Sequence, residues 1–212
     1  MRSHLSVPAV TIASSLLLAS STNAAITIVN SGFEQLNLGS GAYAYAAPGW
    51  TTVGDSGTQN SVPFFNPGAI PQGTNTGFIG ANQGALEQTL SATFERGSTY
   101  ALDFFIGRRL DFSQNNTYIV TVFSAARGPI NGLVGRWENP VFPAATGLFL
   151  PVHLEFSPTE NVIGEAITLR FERGPQAGQF HIDDVTLNAV PTPSSAALLG
   201  VSTLIATRRR RR

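Results

Sequence analysis

The chain has 212 residues, with 13 basic and 13 acidic side chains and no cysteine. The missing cysteines exclude disulfides, cysteine-ligated zinc and thiol catalysis. Every basic residue is arginine, and Arg2 and Arg208 to Arg212 stand at the ends, so the middle keeps seven arginines against all 13 acids, a net charge of about −6 that repels DNA and other polyanions.

In chain order, Arg2, an apolar stretch from Val7 to Ala19 and small residues from Thr22 to Ala25 follow the layout of a secretory signal peptide, cut after Ala24 or Ala25. The apolar stretch is too short to cross a bilayer, which takes about 20 residues. Period-two alternation then marks half-buried strands over Tyr100 to Ile106, Tyr118 to Phe123, Leu150 to Phe156, Ile167 to Phe171, and Val185 with Leu187. Shorter strands are expected over Ile26 to Val29, Gly49 to Val53, Gly77 to Gly80, Leu86 to Leu90 and Gly132 to Arg136. Turns at Arg96-Gly97-Ser98, Asn115-Asn116, Arg127-Gly128-Pro129 and Arg173-Gly174-Pro175 separate them. The Gly-, Ala- and Pro-rich stretch from Asn37 to Gly73 reads as long loops around one short strand. With about nine strands and no amphipathic helix, the expected fold is an all-β antiparallel sandwich or jelly roll over residues 26–189. The same parity sets Asp183 on the core face with Val185 and Leu187, and sends His153 outward.

No motif in the middle specifies catalysis. Gly54-Asp55-Ser56-Gly57 is similar to the nucleophile segment of trypsin-like serine proteases, but the only earlier histidine is His4, inside the signal segment. The tetrapeptide therefore reads as a turn. Without lysine there is no P-loop. Binding is easier to place. Tyr43, Tyr45, Trp50, Phe105, Phe112 and Trp137 fall on loops or outward positions, and Arg108 and Arg109 with Asp111 follow the Tyr100 strand. Flat aromatic faces beside polar groups can hold a ring-shaped ligand.

The last residues carry a more specific pattern. Pro191-Thr192-Pro193 precedes an Ala/Leu/Gly-rich run, and Arg208, Arg209, Arg210, Arg211 and Arg212 close the chain. Arginines after an apolar run stay cytoplasmic, as in a stop-transfer segment. Residues 190–212 resemble a PEP-CTERM sorting signal, with Thr192 where glutamate is usual. The resemblance implies export, at least transient membrane attachment, and recognition of the proline motif by an exosortase-type membrane peptidase.

Three further patterns are Asn30-Ser31-Gly32-Phe33-Glu34 followed by Pro48-Gly49-Trp50, Ala85 to Leu90 leading into Gly97 to Leu102, and Phe180-His181-Ile182-Asp183-Asp184-Val185. Their order resembles the galactose-binding-like jelly roll of carbohydrate-binding modules. That resemblance implies a structural Ca²⁺ held by Glu34 and Asp183 with Asn30 nearby, a ligand set chemically suited to a hard cation. It also implies a non-catalytic, glycan-associated module at the cell surface or in the extracellular matrix, with polysaccharide as partner. The alternative is a structural matrix protein without a discrete ligand; a glycan-active enzyme ranks third.

Overall fold

The computed structural model describes residues 24–111, 117–139, 144–175 and 178–191. The signal segment, Phe112, and the tail from Thr192 through Arg212 lie outside the described residues. In chain order the strands are β1 (Ala24–Ile26), β2 (Tyr43–Ala44), β3 (Thr51–Val53), β4 (Ser56–Asn60), β5 (Asn75–Ile79), β6 (Ala85–Thr93), β7 (Ser98–Arg108), β8 (Tyr118–Ser124), β9 (Leu133–Asn139), β10 (Leu148–Phe156), β11 (Ala166–Arg173) and β12 (Phe180–Pro191). One sheet runs β10-β7-β12-β5-β4-β2, with β1 added to β12; the other runs β3-β6-β11-β8-β9. All strand pairs are antiparallel. The expected sandwich is the observed fold, with more strands than the alternation revealed.

The core follows from that alternation. Leu102, Phe104 and Ile106 of β7 and Ile182, Val185 and Leu187 of β12 face Leu86, Val120, Val122, Leu169 and Phe171 of the second sheet, all essentially inaccessible to water. Each such side chain contributes about 1.5–3 kcal/mol by leaving water. Phe33 and Trp50 close one end, stacked with ring centres 5.5 Å apart, and Trp50 meets the edge of Phe171. The Trp50 indole N–H donates to the Asn30 carbonyl at 3.2 Å, so the aromatic plug carries no unpaired donor.

Two sequence expectations change. First, residues 37–73 contain three strands rather than one: β2, β3 and β4. All five residues of β4 are buried, yet none is apolar in the way a core strand reads: Ser, Gly, Thr, Gln and Asn. Second, Asp183 does not share the Val185 face. Asp183 pairs with Phe105 and Thr186 with Asp103, so β12 holds one extra residue at that point, and Asp184 adopts φ +48°. A bulge of one residue reverses side-chain parity. Ile182 and Val185 both reach the core, while His181 and Asp183 project to the outer face of the first sheet.

That outer face is not bare. The connection from Ser61 to Thr74 crosses it as a strap, resting on the Phe65 ring against Phe149 (4.5 Å) and His181 (5.3 Å). It is tied down by Asn66 N–H to the Gly147 carbonyl and Gln72 N–H to the Asp183 carboxylate, both at 2.9 Å. Away from the strap, His153 is exposed as expected, and its Nδ1 lies 2.6 Å from Asp103 Oδ1 across the β7–β10 pair. The hydrogen bond to Asp103, its charge, and Glu155 hold the His153 pKa above the ordinary histidine value. A raised folded-state pKa stabilises below the unfolded value near 6.5 and is lost as pH rises through the folded value. NMR titration of the His153 ring should give a midpoint above the ordinary range, returning toward it in Asp103→Asn; an unchanged midpoint in the variant would show that the pair does not form.

Candidate active site

A cleft of about 160 Å³ opens at the β2–β4–β5 end of the outer face, beside the strap. Its walls come from strands that local alternation does not announce. Tyr43 pairs opposite Gln59, and Phe78 lies opposite Gly57. Gly57 is required there, because a Cβ would sit 1.9 Å from the Ala44 carbonyl oxygen, a backbone atom that cannot yield cheaply. The bare position lets β2 close against β4 and delivers Tyr43 and Tyr45 over Phe78. The three rings meet edge to face, at 5.3 Å for Tyr43–Tyr45, 5.9 Å for Tyr43–Phe78 and 6.0 Å for Tyr45–Phe78. Phe78 is buried, whereas Tyr43 and Tyr45 are 55% and 60% exposed. The result is a corner of perpendicular aromatic faces open to solvent.

Asp55 completes that wall. Its backbone is fixed by Asp55 N–H to the Asn82 carbonyl and Gly80 N–H to its own carbonyl. Gly80 leaves room for the side chain: a Cβ there would fall 2.0 Å from Asp55 Oδ2. Among the described residues, no hydrogen bond or ion pair engages the Asp55 carboxylate. Its charge is felt by Tyr45, whose pKa is held above the usual phenol value chiefly by the hydrogen bond and charge of Tyr43, then by desolvation and Asp55. The neighbouring Ser56 is not a nucleophile. Its buried hydroxyl lies 2.6 Å from the Ala85 carbonyl and 3.0 Å from that of Val53, which makes it a strand tie.

The floor is built on Arg109, 9% exposed. Its Nε and Nη2 clamp Asp111 at 2.8 and 2.6 Å, Nη1 donates to Gln59 Oε1 at 3.2 Å and Gln179 Oε1 at 3.3 Å, and the guanidinium lies 3.7 Å above the Phe64 ring centre. The hydrogen bond from Arg109 holds the Asp111 carboxyl below its usual range. The pair is locally neutral, and Asp55 is a cleft carboxylate outside it. Behind the floor, His181 is fully buried, and desolvation lowers its pKa to about 3, which leaves the ring neutral.

Of the residues singled out from sequence, Tyr43, Tyr45, Arg109 and Asp111 assemble here. Phe105 is half-buried on the outer face of β7, opposite Asp183 and Pro151 and away from the cleft. Trp137 belongs to the other sheet, where it covers Gly135 and packs on Phe156 at 5.9 Å as part of the core margin, not an exposed platform. Asp55, Phe78, Gln59 and Gln179 were not anticipated. Only Asp55 left a trace, inside a tetrapeptide read as a turn.

The expected cation residues also converge. Glu34 Oε1 accepts Thr74 N–H at 2.9 Å and Asn75 N–H at 2.7 Å. Asp183 Oδ2 and Oδ1 accept Gln72 N–H at 2.9 Å and Asp184 N–H at 2.8 Å. Burial, with the charges of Asp184 and Glu34, pushes the Asp183 pKa up to about 8. Asn75, whose N–H binds Glu34, has a buried Oδ1 with no partner among the described residues. Two crowded carboxylates and an orphaned amide oxygen fit a hard cation, although no group of three or more His, Cys, Asp or Glu with metal-holding geometry occurs among the described residues. Asn30 is engaged otherwise: φ is +52°, its carbonyl accepts Phe33 N–H and the Trp50 indole, and its Oδ1 accepts Gln35 N–H.

Residues 24–188 match the HpiC1-like family, described as HpiC1 cyclase, and the chain belongs to that family. Among solved structures it is similar to an apo cyclase from Fischerella sp. (TM-score 0.67, 22% identity, covering 81% of this chain and 98% of that one). It is also similar to the Stig cyclase Fisc from Fischerella sp. TAU in complex with (3Z)-3-(1-methyl-2-pyrrolidinylidene)-3H-indole (TM-score 0.66, 21% identity, 81% and 100% covered). A cyclase from Fischerella sp. TAU in complex with 4-(1H-indol-3-yl)butan-2-one matches to the same extent (TM-score 0.65, 21% identity, 81% and 100% covered). No curated protein matches the chain. Membership in a cyclase family overturns the expectation of a non-catalytic glycan-associated or matrix module, and with it the expectation that the chain is not an enzyme.

The cleft depends on the β2–β4 closure. Gly57→Ala should detach Tyr43 and Tyr45 while the β6–β11–β8 core persists, read as loss of tyrosine ring contacts to Phe78 in NOE spectra; a wild-type pattern would mean that β2 is held by other contacts.

Proposed function

We propose that this chain is a ring-closing enzyme working in the Tyr43–Tyr45–Asp55 cleft. The observation that carries the reading is an unpartnered carboxyl group on an open aromatic corner, in a chain of a cyclase family. The substrate is a flat aromatic heterocycle with an unsaturated side chain, in keeping with the indole compounds held by the similar cyclases. In its protonated form the Asp55 carboxyl donates its proton to a side-chain alkene carbon, and the electron pair of that π bond forms the new C–H bond. The adjacent carbon becomes cationic. A π bond of the heterocycle attacks it to form the ring C–C bond, and the proton displaced from the attacked ring carbon returns to the Asp55 carboxylate. The net change is an isomerisation. The faces of Tyr43 and Tyr45 present negative π density to the passing cation, and the Arg109–Asp111 pair adds no net charge to oppose it.

We propose further that Glu34 and Asp183 hold a structural Ca²⁺, with Asn75 Oδ1 as a candidate third donor. The ion supplies positive charge to two crowded carboxylates; the residues themselves tether the strap end at Gln72 to Asn75. The terminal segments support export with exosortase-type sorting at Pro191-Thr192-Pro193.

Two measurements test these readings. With a panel of alkenyl indoles, the enzyme should give products of unchanged mass carrying one more ring, and Asp55→Asn should lower kcat/KM by about 100-fold or more, the usual span for a proton-transferring group, while still binding 4-(1H-indol-3-yl)butan-2-one. Full turnover in that variant would remove Asp55 from the mechanism. Ca²⁺ should raise Tm over EDTA in the wild type and not in Glu34→Gln or Asp183→Asn, because a ligand bound only by the native state must stabilise it; identical midpoints in the wild type would dismiss the ion.

A further inference from the structure

We infer that His181, which does not line the cleft, is a positioning residue that holds Gln179 and Arg109 in the arrangement the cleft floor requires. The inference rests on the proposed role of the cleft. His181 stands on β12 opposite Phe78 and Gly107. Gly107 has no side chain, and a Cβ there would lie 2.4 Å from the Phe149 ring, so Phe149 settles across that position. Phe65 of the strap packs on Phe149 and meets the imidazole edge to face. The ring is thereby enclosed.

Its two nitrogens then face different partners. Nδ1 lies 2.7 Å from Thr76 Oγ1 and 3.3 Å from Ser61 Oγ, and those hydroxyls are 2.7 Å apart. Nε2 lies 3.3 Å from Gln179 Nε2. One tautomer serves both sides. With the proton on Nδ1, the ring donates to Thr76, and Nε2 accepts from the Gln179 amide N–H. That choice turns Gln179 Oε1 toward Arg109 Nη1, which it accepts at 3.3 Å. Gln59 Oε1 takes the same Nη1 at 3.2 Å and also lies 3.4 Å from Gln179 Nε2. In the opposite tautomer Gln179 would have to reverse and point its NH₂ at the guanidinium, donor against donor. The imidazole therefore dictates the order of donors and acceptors across about three side chains, a chain in which each bond supports the next.

The consequence reaches Asp55. Arg109 and Asp55 line the same cleft. A guanidinium released on its Nη1 side has an unpaired carboxylate within the same cleft to turn toward, and that pairing would take the proton donor out of use. His181 keeps Arg109 on the floor and so keeps Asp55 free.

Full-length His181→Gln and His181→Asn test this. Both delete the ring and should lower Tm alike. Glutamine places an amide near the former Nε2 and still meets Gln179; asparagine retains only the Thr76 side. In ¹⁵N–¹H spectra, the Arg109 guanidinium hydrogens should stay resolved in wild type and His181→Gln and average by rotation in His181→Asn. In the cyclisation assay, His181→Asn should lose about tenfold or more in kcat, the weight of one hydrogen bond to a charged group, with the Kd for 4-(1H-indol-3-yl)butan-2-one nearly unchanged and His181→Gln restoring most of the rate. If either variant fails to fold, the double variant Ser61→Ala/Thr76→Val, which removes both Nδ1 partners and keeps the ring, should produce the same Arg109 averaging. Identical spectra and identical activities in the glutamine and asparagine variants would reduce His181 to a packing residue. The spectra need no substrate, so Arg109 averaging alongside a fully active Asp55→Asn would uphold the relay and reject only the catalytic reading.

Discussion

A single extra residue in β12 governs what the outer face of this sandwich can do. Without the bulge after Asp183, parity would keep Asp183 on the same face as Val185 and Leu187, where a carboxylate has no water and little to bond. With it, Val185 and Leu187 fill the core, and Asp183 emerges on the far side of the sheet to accept Gln72 N–H. That bond and the two from Thr74 and Asn75 to Glu34 fasten the strap. Once fastened, the strap buries His181 under Phe65, and Phe64 lies under Arg109. An open sheet surface becomes a covered middle with an open end, and the cleft is that end.

Charge along this face is largely paired or suppressed. Arg109 is neutralised by Asp111 and spread over Phe64, and its Nη1 donates to the side-chain oxygens of Gln59 and Gln179. His181 is neutral through desolvation. Besides Arg109, the cleft is lined by the Asp55 carboxyl, Gln59, Gln179 and the rings of Tyr43, Tyr45 and Phe78, in a chain segment whose net charge is negative. Two polar networks, one at Arg109 and one at Glu34 and Asp183, thus hold opposite margins of the same strap without setting an unpaired guanidinium beside the aromatic corner.

The strands of the core were legible because each alternates apolar and polar residues over five or more positions and is half-buried, as Tyr100 to Ile106 and Ile167 to Phe171 are. The strands of the cleft were not. β2 is two residues long, and β4 is Ser-Gly-Thr-Gln-Asn, buried between neighbours on both edges and lacking any apolar signal. The polarity of β4 is answered by tertiary bonds, such as Ser56 to Ala85 and Asn60 to Leu38, that no local pattern predicts. Tyr43 and Tyr45 were noticed because exposed aromatics stand out in a Gly- and Ala-rich stretch. Trp137 stood out for the same reason and was misplaced, since its ring folds back over Gly135 onto Phe156.

The sequence by itself determined a β-sandwich core, the absence of thiol chemistry and the acidity of the middle segment, because composition and period-two burial are local properties; the meeting of Glu34 with Asp183 was implied only by the family resemblance. It did not determine that the chain belongs to a cyclase family or which residues line its cleft. Asp55 acquires meaning only when Gly57 lets β2 close and brings Tyr43 and Tyr45 to it from a separate segment. His181 acquires meaning only when a one-residue bulge and a distant strap enclose it. Those relations join residues up to 120 positions apart, and the bonds that make them are decided by register and packing rather than by neighbours in the chain.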